Sequence, residues 1–545
     1  MFRRRQKSSN SSASSTDSTG KLSSLLSTKG SSSASTLSVS SGEATPRPRL
    51  VSVPADPRTP RAEQPFPSYV FDDGGFAFGS FEREDRLRVV IVGTGFAGLA
   101  AAIACARQGF SVTVFERSGL SPHGDSIIFG SNASKLLHRW GVGKEMFARA
   151  ASKGGRWLFK DQAGKDVWQE NTDELPAQYG APILQGRRAS FLGSLGIEAR
   201  MLGVNIRLNS EVVQYCDAED EPAVVLQSGE VVKGDVILVA DGLHSQARRL
   251  LAPHDRQASP NPLSGYSIHR AVTPTEAIAT DPVCSYLLDG NIRTWLGPDA
   301  HICTYPMDNG RFLAFTFTHP DNTAAASLDW RDKKPIAEVL MQLSDAWDPS
   351  LRKTMAHFAS SLHWKIVDET PEEEWISAGG KICFIGDSVH AMMPTAFQGG
   401  SQAVEDAATV ALCLAMAGSN PRGVRVALET HQALRRPRVQ QAHTLGRKQQ
   451  SLWHSFATSS PTSPGLTDPS ALRPLSFSLY GHDAEHFALS NFAASARASH
   501  PDFVVQRDWV VQAARNAGID PDALDGASHV ASGREGARSR PTLAK

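Results

Sequence analysis

One stretch near residue 90 constrains the fold of this 545-residue chain more than any other. The apolar run LRVVIV at 87–92 is rich in β-branched residues and predicts a strand buried on both faces. It leads directly into GTGFAG at 93–98, which opens an alanine-rich helix through about Gln108. A second strand is predicted at Ser111–Phe115 and ends in Glu116. This order of strand, G-x-G-x-x-G, helix, strand and acidic residue predicts a dinucleotide-binding βαβ unit.

The three glycines of this motif have separate predicted roles. Gly93 permits a tight turn, Gly95 lets the backbone approach a pyrophosphate, and Gly98 lets helix and strand pack closely. Free N–H groups at the helix N-terminus attract the phosphates. Glu116 is predicted to accept hydrogen bonds from ribose hydroxyls, and the adjacent Arg117 is a further candidate for cofactor binding. FAD and NAD share this fingerprint, so it does not name the cofactor.

Two further apolar runs end in turns that combine aspartate and glycine. The run at 235–239 leads into ADGLHSQAR at 240–248, and the run at 381–385 leads into GDSVHAMMPTAFQGGSQAVEDA at 386–407. Open α/β sheets bind their ligands at the carboxyl ends of strands. The three turns together therefore predict ligand roles for the aspartates at positions 241 and 387.

In this order and spacing, the three motifs resemble the single-component, class A FAD-dependent monooxygenases, in a fungal form of the p-hydroxybenzoate and salicylate hydroxylase family. The resemblance covers about 87–450 and includes GDSIIFGSNASKLLHRWGV at 124–142 and LRRPRVQQAH at 434–443. It implies an α/β fold. A Rossmann-like FAD-binding domain with a three-layer, mostly parallel sheet would carry an inserted mixed-sheet substrate domain.

The resemblance also implies roles in FAD binding for residues of the 386–407 motif. Asp387 matches the aspartate that binds the ribitol or ribose region of FAD. The loop at 390–400 is expected to pass the flavin ring, with the N–H groups of Gly399 and Gly400 facing its carbonyl edge. A helix starting there would present its positive end to the reduced, anionic flavin.

Three more cofactor residues follow from the resemblance. Asp241 matches an aspartate that serves FAD and NAD(P)H binding together, and Ser126 lies in the flavin-proximal loop. Arg188, in GRRASF, aligns with an arginine that touches the cofactor, although Ser190 replaces the usual acidic residue two places later.

The substrate side is predicted to be a sheet at 262–374 that forms the roof of the pocket. Strands are expected at Cys284–Leu288, Arg293–Leu296, Ala300–Tyr305 and Arg311–Thr318. The predicted catalytic residues are Arg270, His269 and His390, with Arg270 gripping a carboxylate or phenolate by two parallel hydrogen bonds. Further candidates for the pocket are His301, Tyr305, Trp295, Phe317, Met392, Met393 and Phe397.

The composition of the chain changes along its length and predicts five segments. Met1–Ser41 is dominated by serine and cannot form a core. The segments are 1–85, a disordered tail and proline-containing linker; 86–261, the first part of the FAD-binding domain; 262–374, the substrate domain; 375–450, the closing part of the FAD-binding domain; and 451–545, a C-terminal loop and helical extension with a frayed end.

The implied activity is insertion of one oxygen atom from O2 into an aromatic or polycyclic small molecule, through a flavin C4a-hydroperoxide, in secondary metabolism. NADPH or NADH would act as a transient co-substrate, since no second G-x-G-x-x-G is visible. Two other classes stay open: a flavin-dependent reductase or halogenase on the same fold, and a non-catalytic FAD-binding interaction protein. NAD(P)H oxidation measured with O2 consumption separates them.

Charge and cysteine content limit the remaining possibilities. The 56 basic and 56 acidic residues balance, which argues against a nucleic-acid partner, and no apolar run reaches the length of a membrane span. The six scattered cysteines lack zinc-site spacing, so no metal is expected. We predict a monomer or homodimer in the cytoplasm. The arginine- and serine-rich N-terminus leaves a mitochondrial transit peptide as the alternative.

Overall fold

The computed structural model describes residues 49–52, 86–119, 125–150, 155–250, 263–321, 329, 331–368, 371–456 and 469–526. The strands are β1 Arg49–Ser52, β2 Arg88–Val92, β3 Ser111–Phe115, β4 Ser126–Phe129, β5 Arg156–Asp161, β6 Asp166–Asn171, β7 Leu184–Arg187, β8 Asn205–Arg207, β9 Val212–Asp217, β10 Ala223–Leu226, β11 Val231–Lys233, β12 Val236–Val239, β13 Leu263–Pro274, β14 Ile292–Gly297, β15 Ala300–Met307, β16 Phe312–Pro320, β17 Lys333–Pro335, β18 Ser360–Val367 and β19 Ile382–Phe384.

The α-helices are α1 Phe96–Arg107, α2 Ser131–Arg139, α3 Gly143–Ala150, α4 Leu175–Tyr179, α5 Arg188–Met201, α6 Glu276–Ala279, α7 Ile336–Gln342, α8 Pro349–Met355, α9 Asp387–His390, α10 Gly399–Met416, α11 Val424–Phe456, α12 Phe477–Tyr480, α13 Ala484–Ser499, α14 Arg507–Ala517 and α15 Asp522–Gly526. Among these helices, none is both long enough and apolar enough to cross a membrane.

A five-stranded parallel sheet with the order β19-β12-β2-β3-β8 forms the middle layer of the nucleotide-binding part. Val89 and Ile91 of β2 pack against α1 and α10, while Val90 and Val92 pack on the opposite side against β9 and β10. Burial on both faces explains why these strands are continuous apolar runs rather than alternating ones. The predicted three-layer α/β fold is confirmed.

An eight-stranded mixed sheet, here called the roof sheet, has the order β17-β18-β13-β16-β15-β14-β5-β6. Neighbouring strands in this sheet are antiparallel, except that β14 and β5 are parallel. Because side chains alternate along a strand, its two faces carry different residues. The site face carries Arg270, Tyr305 and His301, and the outer face carries His269 and Trp295.

The structure corrects several expectations about boundaries. Two strands of the roof sheet come from 156–171, outside the predicted substrate segment 262–374. Ser285–Leu288 is a 3-10 helix rather than a strand. Helix α11 continues through residue 450 to Phe456, so the predicted boundary there falls inside a helix.

The N-terminal segment 1–85 also differs from the prediction in one place. Arg49–Ser52 forms a strand that pairs antiparallel with β9, from Arg49 opposite Asp217 to Ser52 opposite Gln214. The physical reason is that the edge of a sheet offers unpaired backbone groups to any extended segment. The other residues of the predicted tail and linker lie outside the described residues, and so do those that bear on a transit peptide.

Candidate functional site

The glycine motif after β2 forms a cradle in which two positions have no room for a side chain. A Cβ on Gly93, where φ is +105°, would lie 2.4 Å from the carbonyl oxygen of Ala240. A Cβ on Gly98 would lie 1.9 Å from the carbonyl oxygen of Gly93. A Cβ on Gly95 would meet no atom within 4 Å. The backbone at Gly95, the N-cap of α1, therefore borders open space at a helix N-terminus, as a pyrophosphate site requires.

The carboxylate of Glu116 closes this cradle from β3. Its Oε2 accepts hydrogen bonds from the N–H and hydroxyl of Thr94, at 3.0 and 2.9 Å. Its Oε1 accepts from the N–H and hydroxyl of Ser118, at 3.0 and 2.8 Å. Glu116 is half-buried and Arg117 is exposed. These bonds hold the carboxylate at the end of the strand.

Three charged side chains face the space beyond the cradle. The Oδ1 of Asp241 is buried without a hydrogen-bond partner, and burial raises the pKa of this carboxyl to about 6. The guanidinium of Arg188 stacks 4.9 Å from the ring centroid of Phe96, and burial lowers its pKa. Neither the Arg188 guanidinium nor the exposed Asp387 carboxylate forms a hydrogen bond or ion pair within the described ranges. A buried polar atom without a partner points to a missing ligand.

The loop before α10 brings a second helix N-terminus to the same region. None of the described residues accepts a hydrogen bond from the N–H of Gly399 or Gly400. A Cβ on Gly400 would lie 2.9 Å from Ile127 Cδ1, so the helix start packs closely on β4. Phe397 has φ +53°, which is uncommon for a bulky residue. Tyr480 fixes this loop by donating a 3.0 Å hydrogen bond to the carbonyl of Ala396.

A buried ionic network lies beneath this loop. Arg435 forms an ion pair with Glu405 and another, at 2.8 Å, with Asp406. The Oδ2 of Asp406 lies 2.6 Å from His390 Nε2 and accepts a 2.9 Å hydrogen bond from the N–H of Gly386. Burial alone would raise the pKa of both carboxyls, but the neighbouring cations lower it below its usual range. His390 is therefore a fully buried member of this network and does not lie on the site face.

At the site face of the roof sheet, Arg270 and Tyr305 form a polar cluster with Asp125 and Ser126 of the neighbouring β4 segment. Arg270 Nε forms an ion pair with Asp125, and its Nη2 donates to the Ser126 carbonyl at 2.6 Å and hydroxyl at 3.1 Å. The Tyr305 hydroxyl donates to Ser126 Oγ at 2.7 Å, and burial raises the pKa of Tyr305 to about 12. Arg270 thus has only Nη1 left for a ligand. The expected two-bond grip is not available in this arrangement.

Strand alternation separates the other predicted pocket residues. His269, Trp295 and Phe317 pack on the outer face, so the structure does not bring them to the site. Met393 contacts Ile268 of the site face, and Met392 and Phe397 also pack on this side.

A polar cleft of about 430 Å³ opens beside Met393. Tyr266 of β13 and Gln450 and His454 of α11 line it. His454 Nε2 lies 2.9 Å from Nδ1 of His301. His301, a predicted pocket residue, is itself buried, and it is connected to the cleft through its contact with His454.

Two groups with clear structural roles were not among the predicted site residues. Asp125 precedes Ser126 in the quoted motif, and Glu405 and Asp406 end the 386–407 motif. Their positions beside Arg270 and Arg435 depend on contacts between distant segments. The sequence signal that could have identified these residues is the presence of acidic side chains within otherwise apolar stretches.

The chain is similar to known proteins in sequence and in fold. The asperlicin C monooxygenase of Petromyces alliaceus is 29% identical over 366 residues, which cover 65% of this chain and 77% of the relative. The crystal structure of CtdE in complex with FAD and a substrate has a TM-score of 0.67 at 23% identity, covering 76% of this chain and 100% of that one. A salicylate hydroxylase substrate complex has a TM-score of 0.59 at 22% identity, covering 76% and 98%.

The fold, the cradle and these likenesses define a class A FAD-dependent monooxygenase. The family described as "FAD binding domain" matches residues 86–445, and the chain belongs to this family. The predicted enzyme class and FAD as its cofactor are thereby confirmed, and NAD(P)H is the co-substrate that this class implies. The residues of the cradle fit FAD, because Gly95, Asp241 and the α10 N-terminus offer open backbone and an unpaired carboxylate oxygen.

Proposed function

We propose that this monooxygenase inserts one oxygen atom from O2 into an aromatic or polycyclic secondary metabolite. The observation that carries the proposal is the site face, where an apolar surface lies beside the polar cluster at Arg270 and Tyr305. Pockets of this composition bind apolar ring systems and use a few polar groups to orient them.

The cradle would hold FAD through the backbone at Gly95, the carboxylates of Glu116 and Asp241, and the N–H groups of Gly399 and Gly400. Asp387 and Arg188 would serve its sugar and ring regions. When bound, FAD supplies electron transfer from NAD(P)H and activation of O2. The chain supplies binding, orientation and exclusion of water.

Apolar side chains from two directions would enclose the substrate. Met392 and Phe397 come from the loop before α10, and Ile268 and Trp364 come from the roof sheet. Met393 lines both this apolar region and the 430 Å³ cleft. The cleft volume is in the range of roughly 300–1,000 Å³ that small-molecule pockets occupy. We propose the cleft as the route by which substrate enters.

Arg270 and Tyr305 would orient the substrate from above. Because the Tyr305 pKa is raised to about 12, its hydroxyl stays protonated at neutral pH. Arg270 Nη1 can donate one charge-assisted hydrogen bond to a carboxylate or phenolate. Its other nitrogens hold Asp125 and Ser126, so Arg270 also positions the β4 segment under the roof.

The substitution Arg270→Lys tests this assignment. We expect FAD content to be unchanged, because the cradle lies on other elements. A lysine cannot keep contacts with both Asp125 and Ser126 and still reach a ligand, and one lost charge-assisted bond costs about 1.5–3 kcal/mol. We therefore expect kcat/KM for substrate-stimulated NAD(P)H oxidation to fall at least about tenfold.

Arg293→Lys is the matched control, because Arg293 is a buried arginine of β14 that pairs with Asp289 on the outer face. Its kinetics should equal those of the wild type. A larger loss for acidic than for neutral substrates would show contact through Nη1. Unchanged kinetics of Arg270→Lys on the best substrate would remove Arg270 from the pocket.

The reaction itself is tested with a panel of aromatic acids, phenols and polycyclic metabolites. NAD(P)H oxidation, O2 consumption and product mass are measured together, with 18O2 as the oxidant. One 18O atom in the product, coupled to one NAD(P)H, is the expected result. Stimulated NAD(P)H oxidation with release of all oxygen as peroxide for every ring compound would reject the substrate class.

A further inference from the structure

Three histidines meet on the outer face of the roof sheet, away from the site face. His269 of β13, His319 of β16 and His363 of β18 lie on adjacent strands, and one ring nitrogen of each lies within 4.8 Å of those of the other two. His269 and His363 are directly opposite each other, with ring centroids 3.8 Å apart. The mechanism proposed above does not use any of them.

Hydrogen bonds fix the tautomers of two of the rings, with Gln342 beside one ligand nitrogen and Ser267 beside the other. His319 Nδ1 lies 2.9 Å from the Pro320 carbonyl, which can only accept, so the neutral ring carries its proton on Nδ1 and a lone pair on Nε2. His269 Nδ1 lies 2.9 Å from Ser361 Oγ, and its Nε2 lies 3.4 Å from the amide nitrogen of Gln342, a donor. Metal-binding histidines are usually oriented in this way through their second ring nitrogen.

Two buried polar atoms beside these rings have no partner. His363 Nε2 lies 3.2 Å from the hydroxyl of Ser267, which also lies 3.3 Å from His319 Nε2, while His363 Nδ1 is buried and unpaired. Asp321, whose side chain is 9% exposed, pairs through Oδ2 with Lys365 but leaves Oδ1 buried and unpaired. This carboxylate acts electrostatically on both His319 and His363.

One side of the cluster is open to solvent. His269 and His363 are buried, but His319 is half-buried and the neighbouring Gln342 is exposed, so an ion can reach the rings from that side.

We propose that His269, His319 and His363 bind a divalent transition metal ion of the zinc class, with water as the fourth ligand. Imidazole suits Zn²⁺, Ni²⁺ and Cu²⁺. Tetrahedral coordination at about 2.0–2.1 Å places ligand nitrogens about 3.3 Å apart, so the nitrogens need to close by at most about 1.5 Å. Because the rings of His269 and His363 are stacked 10° from parallel, one of them must also rotate for their in-plane lone pairs to converge on the ion. The ion would tie together three strands that carry Arg270 on their other face.

A second group of possible metal ligands among the described residues provides a control. Asp281, Cys284 and His357 also lie close together. There both oxygens of the Asp281 carboxylate are already engaged, one by Lys353 at 2.9 Å and the other by His357 at 3.3 Å. His357 therefore offers a control histidine on the same part of the chain.

The test uses the FAD-loaded enzyme, stripped of metal with dipicolinate and then titrated with Zn²⁺ by calorimetry. We expect one equivalent of zinc after dialysis, counted by mass spectrometry, and a rise in the thermal midpoint with Zn²⁺. His319→Gln and His363→Gln should each lower zinc affinity at least about tenfold. His357→Gln should behave as the wild type, and FAD absorbance should be unchanged in all three variants.

Absence of an equimolar ion in the wild type would overturn the proposal. So would equal zinc affinity in His319→Gln and His357→Gln, which would mark the binding as adventitious. If His363→Gln loses FAD, His319→Gln still decides the outcome, because His319 is half-buried and contacts no residue of the cradle.

Discussion

The parallel sheet and the roof sheet build the two sides of the site in different ways. In the parallel sheet, Gly93, Asp241 and Asp387 follow the carboxyl ends of β2, β12 and β19, so each belongs to a contiguous motif. In the roof sheet, Arg270 and His269 are neighbours in sequence yet lie on opposite faces. Backbone geometry defines the first side, and strand alternation defines the second.

Because of this difference, substitutions on the two sides of the site should have different effects. Changes in the parallel-sheet side remove space or charge that the backbone arrangement requires, so they should affect folding and FAD binding. Changes on the site face of the roof sheet should affect substrate turnover, as argued for Arg270→Lys. Three further substitutions, all on the FAD side, test the first half of the comparison.

The largest effect is expected for Arg435→Met. It removes the cation that the buried carboxylates of Glu405 and Asp406 share, leaving Glu405 paired with Arg438 and Asp406 with His390. Breaking a buried ion pair from one side costs about 3–5 kcal/mol. Urea unfolding of the apoprotein measures the loss. Arg425→Met, on the same helix and in an exposed pair with Glu429, should cost less than about 1 kcal/mol. Equal losses would contradict the assignment.

The same network predicts sensitivity to acid. The folded-state pKa values of Glu405 and Asp406 are lowered, so their contribution to stability is present above the ordinary carboxyl pKa of about 4. It is lost as the pH falls below that value. In Arg435→Met this acid-dependent part of the unfolding free energy should shrink.

A smaller effect is expected for Gly98→Ala, whose added Cβ would lie 1.9 Å from the Gly93 carbonyl oxygen. Backbone must shift, which costs about 1–3 kcal/mol, and FAD should be lost. Gly95→Ala is the matched control, because its Cβ meets no protein atom within 4 Å. It should keep the apoprotein's unfolding midpoint and weaken only FAD binding. A normal FAD content in both variants would argue against the cradle.

The smallest effect is expected for Asp241→Asn in the apoprotein. The folded-state pKa of Asp241 is about 6, above the ordinary value of 3.8, so between these pH values the folded chain keeps a proton that the unfolded chain releases. Stability therefore falls as the pH rises through this window, and the part of the change that falls between pH 5 and pH 7 is on the order of 1 kcal/mol. The difference in unfolding free energy between wild type and variant, measured at pH 5 and pH 7, checks this. A constant difference would contradict it.

Individual strands show how much of the fold could be predicted from the sequence. Ser111–Phe115 was predicted and is found as β3, because a strand buried on both faces is an uninterrupted apolar run. The roof sheet was predicted only in part. Strands β5 and β6, at 156–171, extend the roof sheet because β5 pairs in parallel with β14. No local sequence pattern indicates this pairing. Cys284–Leu288 looked like a strand and folded as a 3-10 turn, since short apolar runs are ambiguous.

The sequence by itself determined the fold class and the cradle, because glycines and acids at strand ends act through local backbone geometry. FAD as the cofactor followed from the family resemblance that these motifs carry. Only the tertiary structure decided that Arg270 is engaged by Asp125 and Ser126 and that His390 belongs to the Asp406 network. Only it placed His269 with His319 and His363. These contacts join segments far apart in the chain, and the register of paired strands, which sets the face of every side chain, depends on the whole sheet.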